Sequence, residues 1–182
     1  VACAFGYRES FFKRDGKGQF VILNVTFRLN KHPVLNTSYG NIQQELEREG
    51  IAHPTIKDVS AAVIAIRRSK LPDPAVVGNA GSFFKNPVVP MALVEKIRAS
   101  YPDVVSYPAG EEHAKLAAGW LIEKAGWKGR RSDTAPCGVH DRQALVLVNY
   151  GGATGKAIYD LSEQVLRSVE ERFGVELERE VN

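Results

Sequence analysis

Residues 78–86 place side chains that can do chemistry directly beside glycines. Gly81 permits a positive φ or a close backbone approach, and Ser82 follows it at once. Lys85 and Asn86 add a cation and a bifunctional amide within four residues of the hydroxyl. The stretch therefore predicts a polar site that flanking apolar residues attach to a core.

On this stretch alone, a tight turn that leads into a strand is the simpler interpretation. The glycine spacing matches neither of the two common phosphate-binding fingerprints, G-x-G-x-x-G and G-x-x-x-x-G-K-[ST]. Two other residues attract attention for their chemistry, Arg8 near the beginning of the chain and Glu180 near its end. Spacing alone does not join them to Ser82.

The segment before the glycines is a stiff connector with a basic beginning. Pro72 and Pro74 fix φ on both sides of Asp73 and remove two backbone donors, which predicts an irregular surface loop. The simplest interpretation of the basic run 67–70 is a solvated helix end, where cations interact favourably with the macrodipole. The same run suits an anionic small ligand, and the two interpretations are compatible.

Composition indicates ordinary globular protein and argues against several classes. The chain has 182 residues, a length sufficient for one domain or two small ones. Of these residues, 44% are hydrophobic and 25% are charged, as in ordinary globular proteins. A net charge of +3 is too mild to indicate a nucleic-acid surface. Cys3 and Cys137 have neither a metal-binding spacing nor a disulfide framework, which fits a reducing compartment. The longest apolar run is far shorter than a membrane span.

Periodicity predicts the elements that position these residues. Apolar and polar residues alternate from Val21 to Leu29, which predicts a half-buried strand in a hairpin over residues 9–29. Helices are predicted over 41–49, from a capping box at Thr55 to the basic run, from Pro90 to about residue 101, over 115–125 and over 156–173. Strands are predicted at 104–105, 144–148 and 175–181. Residues 71–174 thus predict a compact α+β domain.

Several motifs resemble those of one flavoenzyme family, the UDP-N-acetylenolpyruvoylglucosamine reductases (MurB) of peptidoglycan precursor synthesis. The longest match runs from Lys70-Leu-Pro-Asp-Pro to Gly78-Asn-Ala-Gly-Ser-Phe-Phe-Lys-Asn-Pro87. Other matches are Tyr7-Arg8-Glu9-Ser10, Val139-His140 and the stretches 115–122, 143–149 and 178–181. The chain resembles the first type of this family over almost its whole length.

The resemblance implies a reaction and three catalytic residues. In that family a hydride from reduced flavin N5 adds to C3 of an enolpyruvyl group and leaves enolate character at C2. Arg8 is then expected to hold the substrate carboxylate in bidentate fashion, and Ser82 to give C2 its proton. Glu180 would donate to the developing enolate if it is protonated and would oppose it if it is ionised.

The same resemblance implies the ligands and their contacts. FAD is the expected cofactor, NADPH its reductant, and UDP-N-acetylglucosamine-enolpyruvate the substrate that becomes UDP-N-acetylmuramate. Lys70, Asn86 and Gln143 are expected to contact the nucleotide-sugar, and Tyr39 to close over it from a loop. Tyr7 is expected to contact the flavin. No metal, nucleic acid or membrane is expected as a partner.

The resemblance also predicts the domain organisation. Residues 1–69 would be the C-terminal part of an α+β FAD-binding domain, and residues 70–174 a compact substrate-binding α/β sandwich domain. Residues 175–182 would form a return strand that carries Glu180. The chain would be the C-terminal portion of a bacterial cytoplasmic enzyme, with the N-terminal flavin-binding portion of the same protein as its missing partner.

Other functions and other roles stay open. A non-catalytic nucleotide-sugar binding module would use the same polar residues without redox chemistry. A nucleic-acid binder rests on the basic pairs at 67–68 and 130–131, which lack interleaved aromatic residues, and ranks last. His140 is either a ligand contact or a packed, capping histidine, and Lys85 is a further candidate contact.

Overall fold

The computed structural model of this protein describes residues 3–181 and falls into two compact units, which divide between Asn36 and Thr37. Residues 1, 2 and 182, at the outer ends of the predicted domains 1–69 and 175–182, lie outside the described residues. The division precedes the domain boundary that we predict after residue 69, and that boundary stays a prediction.

Short-range contacts hold the first unit, residues 3–36, together. Gly6 and Glu9 form an antiparallel bridge through two backbone hydrogen bonds of 2.9 and 3.3 Å. A short 3-10 helix follows at Phe11–Lys13. Ring contacts with centroids 5.6, 5.8 and 5.9 Å apart join Phe11, Phe12 and Phe20. These contacts join residues that are close in sequence, so the order of this unit is local.

The hairpin that the sequence predicts over residues 9–29 is wrong. Residues 20–30 have no regular secondary structure, and Val21, Leu23 and Leu29 are 85%, 87% and 82% exposed. The first arm folds into local turns instead, such as the hydrogen bond from Gly16 N–H to the Phe11 carbonyl. A strand needs a neighbour for its backbone polar groups, and no strand among residues 3–36 supplies one.

Two helices begin the larger unit, residues 37–181. Helix α1, Ile42–Arg48, lies within the predicted span 41–49, and helix α2, Ile56–Lys70, begins and ends as the sequence predicts. They bury a small apolar cluster of Ile42, Leu46 and Ala62.

The predicted capping box at the start of α2 is confirmed. Thr55 N–H donates to Asp58 Oδ2 at 2.7 Å, and Asp58 N–H donates to Thr55 Oγ1 at 3.4 Å. The hydrogen bonds from Thr55 lower the pKa of the Asp58 carboxyl. This cap fixes the start of the helix that leads to Lys70.

Two three-stranded antiparallel sheets form the centre of the larger unit. The strands are β1 Gly78–Ser82, β2 Val88–Pro90, β3 Ser106–Pro108, β4 His113–Leu116, β5 Cys137–Val139 and β6 Val146–Asn149. One sheet has the order β1-β6-β5 and the other β2-β4-β3. Helix α3, Met91–Ser100, packs on β2 and β4, while α5, Gly155–Phe173, packs on β5, β6 and helix α4, Ala118–Lys124. The prediction of an α+β fold is confirmed.

One apolar core joins these elements. Helix α5 contributes the face that its 3.6-residue spacing predicts, and Gly174 ends the helix with a φ of 66°. The side chains with no exposed surface include Val94, Leu121, Ile122, Val139, Val165 and Val169. Burial of each such side chain contributes about 1.5–3 kcal/mol. None of the helices in residues 3–181 is long and apolar enough to span a membrane.

The predicted helix over 115–125 begins too early. His113–Leu116 form strand β4, and the helix starts at Ala118. Ala114 and Leu116 are buried and alternate with more exposed neighbours, so this stretch has the two-residue period of a strand.

Two further boundaries differ from the prediction by a few residues. Pro90 is the last residue of β2 and the N-cap of α3, so the helix begins at Met91. The strand predicted at 104–105 lies at Ser106–Pro108, because Val104 N–H bonds the Tyr101 carbonyl in a turn at 3.0 Å. After α5, Arg179 forms an isolated bridge with Phe84 in place of the regular strand predicted for 175–181.

Candidate functional site

The glycine stretch is itself a strand, β1, and Ser82 is its last residue. The β1–β6 pairing shifts register between Asn79 and Ser82, where Gly81 has a φ of 73°. Asn79 fixes this irregularity: its Nδ2 donates to the Val77 carbonyl at 2.9 Å, and its Oδ1 accepts from Gly81 N–H at 3.0 Å. Ser82 is therefore half-buried at the end of a strand whose irregular backbone is held by hydrogen bonds.

The C-terminal segment lies beside the residue that follows Ser82. Phe83 N–H donates to the Leu145 carbonyl at 2.7 Å, and the Phe83 carbonyl accepts from Glu180 N–H at 2.8 Å. Lys85 N–H donates to the Glu178 carbonyl at 2.8 Å, and the two side chains form an ion pair. One carboxylate oxygen of Glu180, Oε2, is buried. These bonds fix the backbone of Glu180 opposite Phe83.

Two amide side chains lie at the first turn of α4. Asn86 Oδ1 accepts from Ala118 N–H at 2.9 Å, and Gln143 Oε1 accepts from Leu145 N–H at 3.3 Å. A Cβ at Gly119 would come within 3.2 Å of Gln143 Oε1, so glycine makes room for this amide. Both carbonyl oxygens are occupied by backbone donors, and within residues 3–181 neither amide nitrogen has a hydrogen-bond partner. The two side chains therefore present N–H donors, which suit a ligand with oxygen acceptors.

Hydrogen bonds of these residues and of their immediate neighbours connect four predicted site residues in one region of the larger unit. We call Ser82, Asn86, Gln143 and Glu180 the Ser82 cluster. Lys70, the exposed last residue of α2, adjoins this region through Ser69, whose carbonyl accepts from Arg142 Nη1 at 3.0 Å. Tyr39 is 81% exposed just before α1, and the hydrogen bonds above do not include it.

His140 is a packed residue that shapes the loop before Gln143. Its Nδ1 accepts from Arg142 N–H at 3.2 Å, so the neutral ring carries its proton on Nε2, 3.3 Å from Asp141 Oδ1. Burial lowers the pKa of His140, and the Asp141 carboxylate opposes this effect. The geometry favours the packed, capping interpretation of this histidine.

Tyr7 and Arg8 form the tip of a tight turn in the first unit, between the bridged residues Gly6 and Glu9. Arg8 has a φ of 56°, a left-handed conformation that costs a non-glycine residue roughly 1–2 kcal/mol. Its carbonyl accepts from Lys13 Nζ at 3.1 Å. Both side chains of the tip are exposed, Tyr7 to 52%. A strained conformation at an exposed arginine is typical of functional positions.

Arg179 is a further residue of this region, which the sequence patterns did not predict as a site residue. Its Nε donates to Ser162 Oγ at 2.7 Å, its guanidinium lies 4.2 Å from the Tyr159 ring centroid, and it forms an ion pair with Glu163. The hydrogen bond from Arg179 lowers the pKa of Glu163. Val175 and Leu177 are buried, so their alternation was the available signal that the side chain at position 179 points inward.

Comparisons with known proteins agree with the resemblance. A family model described as "UDP-N-acetylenolpyruvoylglucosamine reductase, C-terminal domain" matches residues 73–182, more than half of the chain. A UDP-N-acetylenolpyruvoylglucosamine reductase of Pseudomonas aeruginosa is 55% identical over 181 residues, which are 100% of this chain and 52% of that protein. The enzyme of the same name from Burkholderia lata is 57% identical over 98% of this chain and 51% of its own length.

A third relative, from Chromobacterium violaceum, has the same name and is 54% identical over 98% of this chain. The chain spans about half the length of the curated relatives it matches. These matches cover both the Ser82 cluster and the turn that carries Arg8. The chain therefore belongs to the UDP-N-acetylenolpyruvoylglucosamine reductase family.

Proposed function

We propose that this chain is part of an enzyme that reduces the enolpyruvyl group of UDP-N-acetylglucosamine-enolpyruvate to give UDP-N-acetylmuramate. Family membership supports the reaction class. The observation that carries the proposal is the Ser82 cluster, in which Phe83 bonds Glu180 and Ser82 immediately precedes Phe83. NADPH is the electron source, and the net reaction takes up one hydride and one proton.

FAD is the proposed cofactor, and the residues of the first unit fit it. Tyr7 offers a half-exposed aromatic ring at the tip of a turn, a surface that suits a flat ring system. Bound FAD would supply C3 of the enolpyruvyl group with the hydride taken from NADPH. The reaction also requires a cation that stabilises the carboxylate, here called the charge clamp, and a proton donor. Side chains of this chain would supply both.

Arg8 is the proposed charge clamp. Negative charge develops on the carboxylate and at C2 as C3 gains its hydride, and a guanidinium can bind both carboxylate oxygens at once. The tight turn presents Arg8 to solvent at a backbone position where glycine would be unstrained. An arginine at this strained position supports a role that outweighs the local strain.

Ser82 is the proposed proton donor to C2, and Glu180 the proposed partner of the enolate oxygen. Two hydrogen bonds of the next residue hold the backbone at Ser82. Phe83 N–H donates to the Leu145 carbonyl just before β6, and the Phe83 carbonyl accepts from Glu180 N–H. One carboxylate oxygen of Glu180 is buried, and in its protonated form this carboxyl would donate a hydrogen bond to the enolate oxygen. If side chains alternated regularly along both segments, those of Ser82 and Glu180 would point to opposite faces. The bend at Glu180 and the register shift before Ser82 are the irregularities that would let them converge.

Lys70, Asn86 and Gln143 are the proposed contacts of the nucleotide-sugar. A diphosphate and a uracil present oxygen acceptors, and these residues offer an ammonium group and two amide N–H₂ groups. Tyr39 is the proposed lid, since its exposed ring precedes α1 next to Gly40, which has a φ of 60°. We further propose a cytoplasmic enzyme with the domains 1–69, 70–174 and 175–182 and a flavin-binding portion from the rest of the protein.

The full-length gene product tests this proposal. It should purify with the visible absorbance of bound flavin and oxidise NADPH only when UDP-N-acetylglucosamine-enolpyruvate is added. A colourless protein without substrate-dependent NADPH oxidation would refute the proposal.

A nucleotide-sugar binding module without redox chemistry is the second candidate. The two donor amides and Lys70 favour it, because all three lie in the larger unit and need nothing from the turn that carries Arg8. Calorimetry of the 182-residue chain with UDP-N-acetylglucosamine distinguishes the candidates. Firm binding by a chain whose full-length form contains no flavin would favour the module.

A further inference from the structure

We propose that Arg179 is a positioning residue that orients Glu180 through its contacts with α5. This inference rests on the proposed function, in which Glu180 interacts with the developing enolate. Arg179 itself contacts neither Ser82 nor the amides of the Ser82 cluster in the hydrogen bonds and ion pairs described above. Its effect therefore acts through the neighbouring residue.

Arg179 is held from three directions by one turn of α5. Its Nε donates to Ser162 Oγ at 2.7 Å, and its other guanidinium arm pairs with Glu163. The plane of the guanidinium lies over the Tyr159 ring, with 4.2 Å between its carbon and the centroid. Side-chain exposure at Arg179 is only 21%, so solvent screens these contacts weakly.

The acceptor for Arg179 is itself fixed. Ser162 has no exposed surface, and its hydroxyl donates to the Tyr159 carbonyl at 2.6 Å. That donation orients the lone pairs of Ser162 Oγ toward Arg179. Removal of the guanidinium would leave the buried Ser162 hydroxyl without the donor that it accepts from, which costs free energy. The observed geometry of the contact between Arg179 and Ser162 is therefore the preferred one.

The extended backbone transmits this geometry to Glu180. Val175 and Leu177 are buried while Glu176 and Glu178 are exposed, which is the alternation of an extended segment. Attachment of Arg179 to α5 therefore fixes the backbone immediately before the bend at Glu180, and with it the direction in which the Glu180 side chain leaves the chain. The Glu180 N–H bond to Phe83 then fixes its distance from the end of β1.

The test compares Arg179→Met with Arg172→Met in the full-length protein. Arg172, on α5, is the matched control, since it likewise donates from Nε to a hydroxyl, Tyr101 Oη at 2.9 Å, and lies near the Tyr101 and Phe173 rings. Stopped-flow absorbance separates flavin reduction by NADPH from flavin reoxidation by the enolpyruvyl substrate. Hydrogen–deuterium exchange mass spectrometry measures protection of the peptide that contains residues 175–181.

Arg179→Met should slow reoxidation by about 10²-fold, because a misplaced catalytic group loses roughly this factor. Reduction by NADPH should stay within about twofold of the unmodified protein, since Glu180 acts only on the enolpyruvyl substrate. Amide exchange in 175–181 should accelerate. Arg172→Met should change neither the rates of the two half-reactions nor the amide exchange of residues 175–181. Arg179→Lys, which keeps a cation for Glu163, should give an intermediate reoxidation rate and serves if the methionine variant does not fold.

Three results would overturn the inference. They are unchanged reoxidation in Arg179→Met, equal losses in both half-reactions, and equal effects of Arg172→Met. Absence of flavin or of substrate turnover in the unmodified protein would instead refute the proposed function. In that case the exchange measurement still decides whether Arg179 fixes residues 175–181.

Discussion

Two segments of this chain share the same alternation of apolar and polar residues but differ in environment. In the first, residues 21–29, the apolar side chains are exposed, as Leu23 is to 87%. In the second, residues 175–179, Val175 and Leu177 are buried to 1% and 8% exposure. Glu178 in the second segment and Glu180 just after it hydrogen-bond Lys85 and Phe83, while no strand among residues 3–36 pairs with the first. Alternation therefore reports which side chains can share a face, and a neighbouring backbone decides whether they are buried.

The same contrast separates the proposed catalytic residues. Ser82 and Glu180 are fixed by hydrogen bonds between segments that are distant in sequence. Arg8 is presented by a local turn in a strained conformation. The positions of Ser82 and Glu180 should thus depend on the stability of the larger unit, whereas the position of Arg8 depends on the conformation of its local turn.

The largest expected effect comes from matched leucine substitutions in the two segments. Leu177→Ala should lower the free energy of unfolding of the 182-residue chain by about 2–5 kcal/mol, because it removes a packed side chain from the core. Leu23→Ala should change it by less than about 0.5 kcal/mol, because that side chain is exposed. Urea denaturation followed by circular dichroism measures both values. Equal losses would mean that the first segment is buried in solution.

Substitutions of Arg8 separate its local strain from its proposed chemistry. Arg8→Gly should leave the unfolding free energy unchanged or raise it by up to about 1 kcal/mol, because glycine adopts a positive φ without strain. Substrate turnover by the full-length protein should fall by about 10²–10³-fold, the usual loss for one charge-stabilising donor. Arg8→Lys should also lose turnover, because lysine cannot bind a carboxylate in bidentate fashion. Wild-type kinetics in either variant would exclude the clamp.

The smallest expected effect is a pH dependence from His140 in the larger unit. Burial places the pKa of the folded state below the ordinary value of 6.5, so the unfolded chain binds more protons as the pH falls. The free energy of unfolding should therefore decrease as the pH falls below about 6.5. His140→Asn should flatten that decrease in urea titrations at pH 7, 6 and 5. An identical slope in the variant would show that His140 does not titrate during unfolding.

Local signals predicted the elements whose ends are set by their own residues. The Thr55–Asp58 cap, the spacing of α5 and the Gly174 stop all act within one helix, and each is confirmed. Features that depend on distant partners were predicted less well. His113–Leu116 pairs with two other strands and so forms a strand, not the first turn of a helix.

The candidate site divides in the same way. The sequence around Ser82 showed the polar residues of the site, but it did not show the hydrogen bond from Ala118 N–H to Asn86 Oδ1. That contact joins residues 32 positions apart, which local patterns do not reveal. The role of Arg179 depends likewise on packing against α5. Whether the side chains of Arg8, Ser82 and Glu180 converge stays a prediction.

Transient kinetics of Ser82→Ala in the full-length protein test the proposed chemistry most directly. Flavin reduction by NADPH should stay within about twofold of the unmodified rate, because that half-reaction transfers no proton to C2. Flavin reoxidation by UDP-N-acetylglucosamine-enolpyruvate should slow by about 10²–10⁴-fold, the usual contribution of a positioned general acid. Reoxidation at the unmodified rate would contradict the assignment of Ser82 as the proton donor.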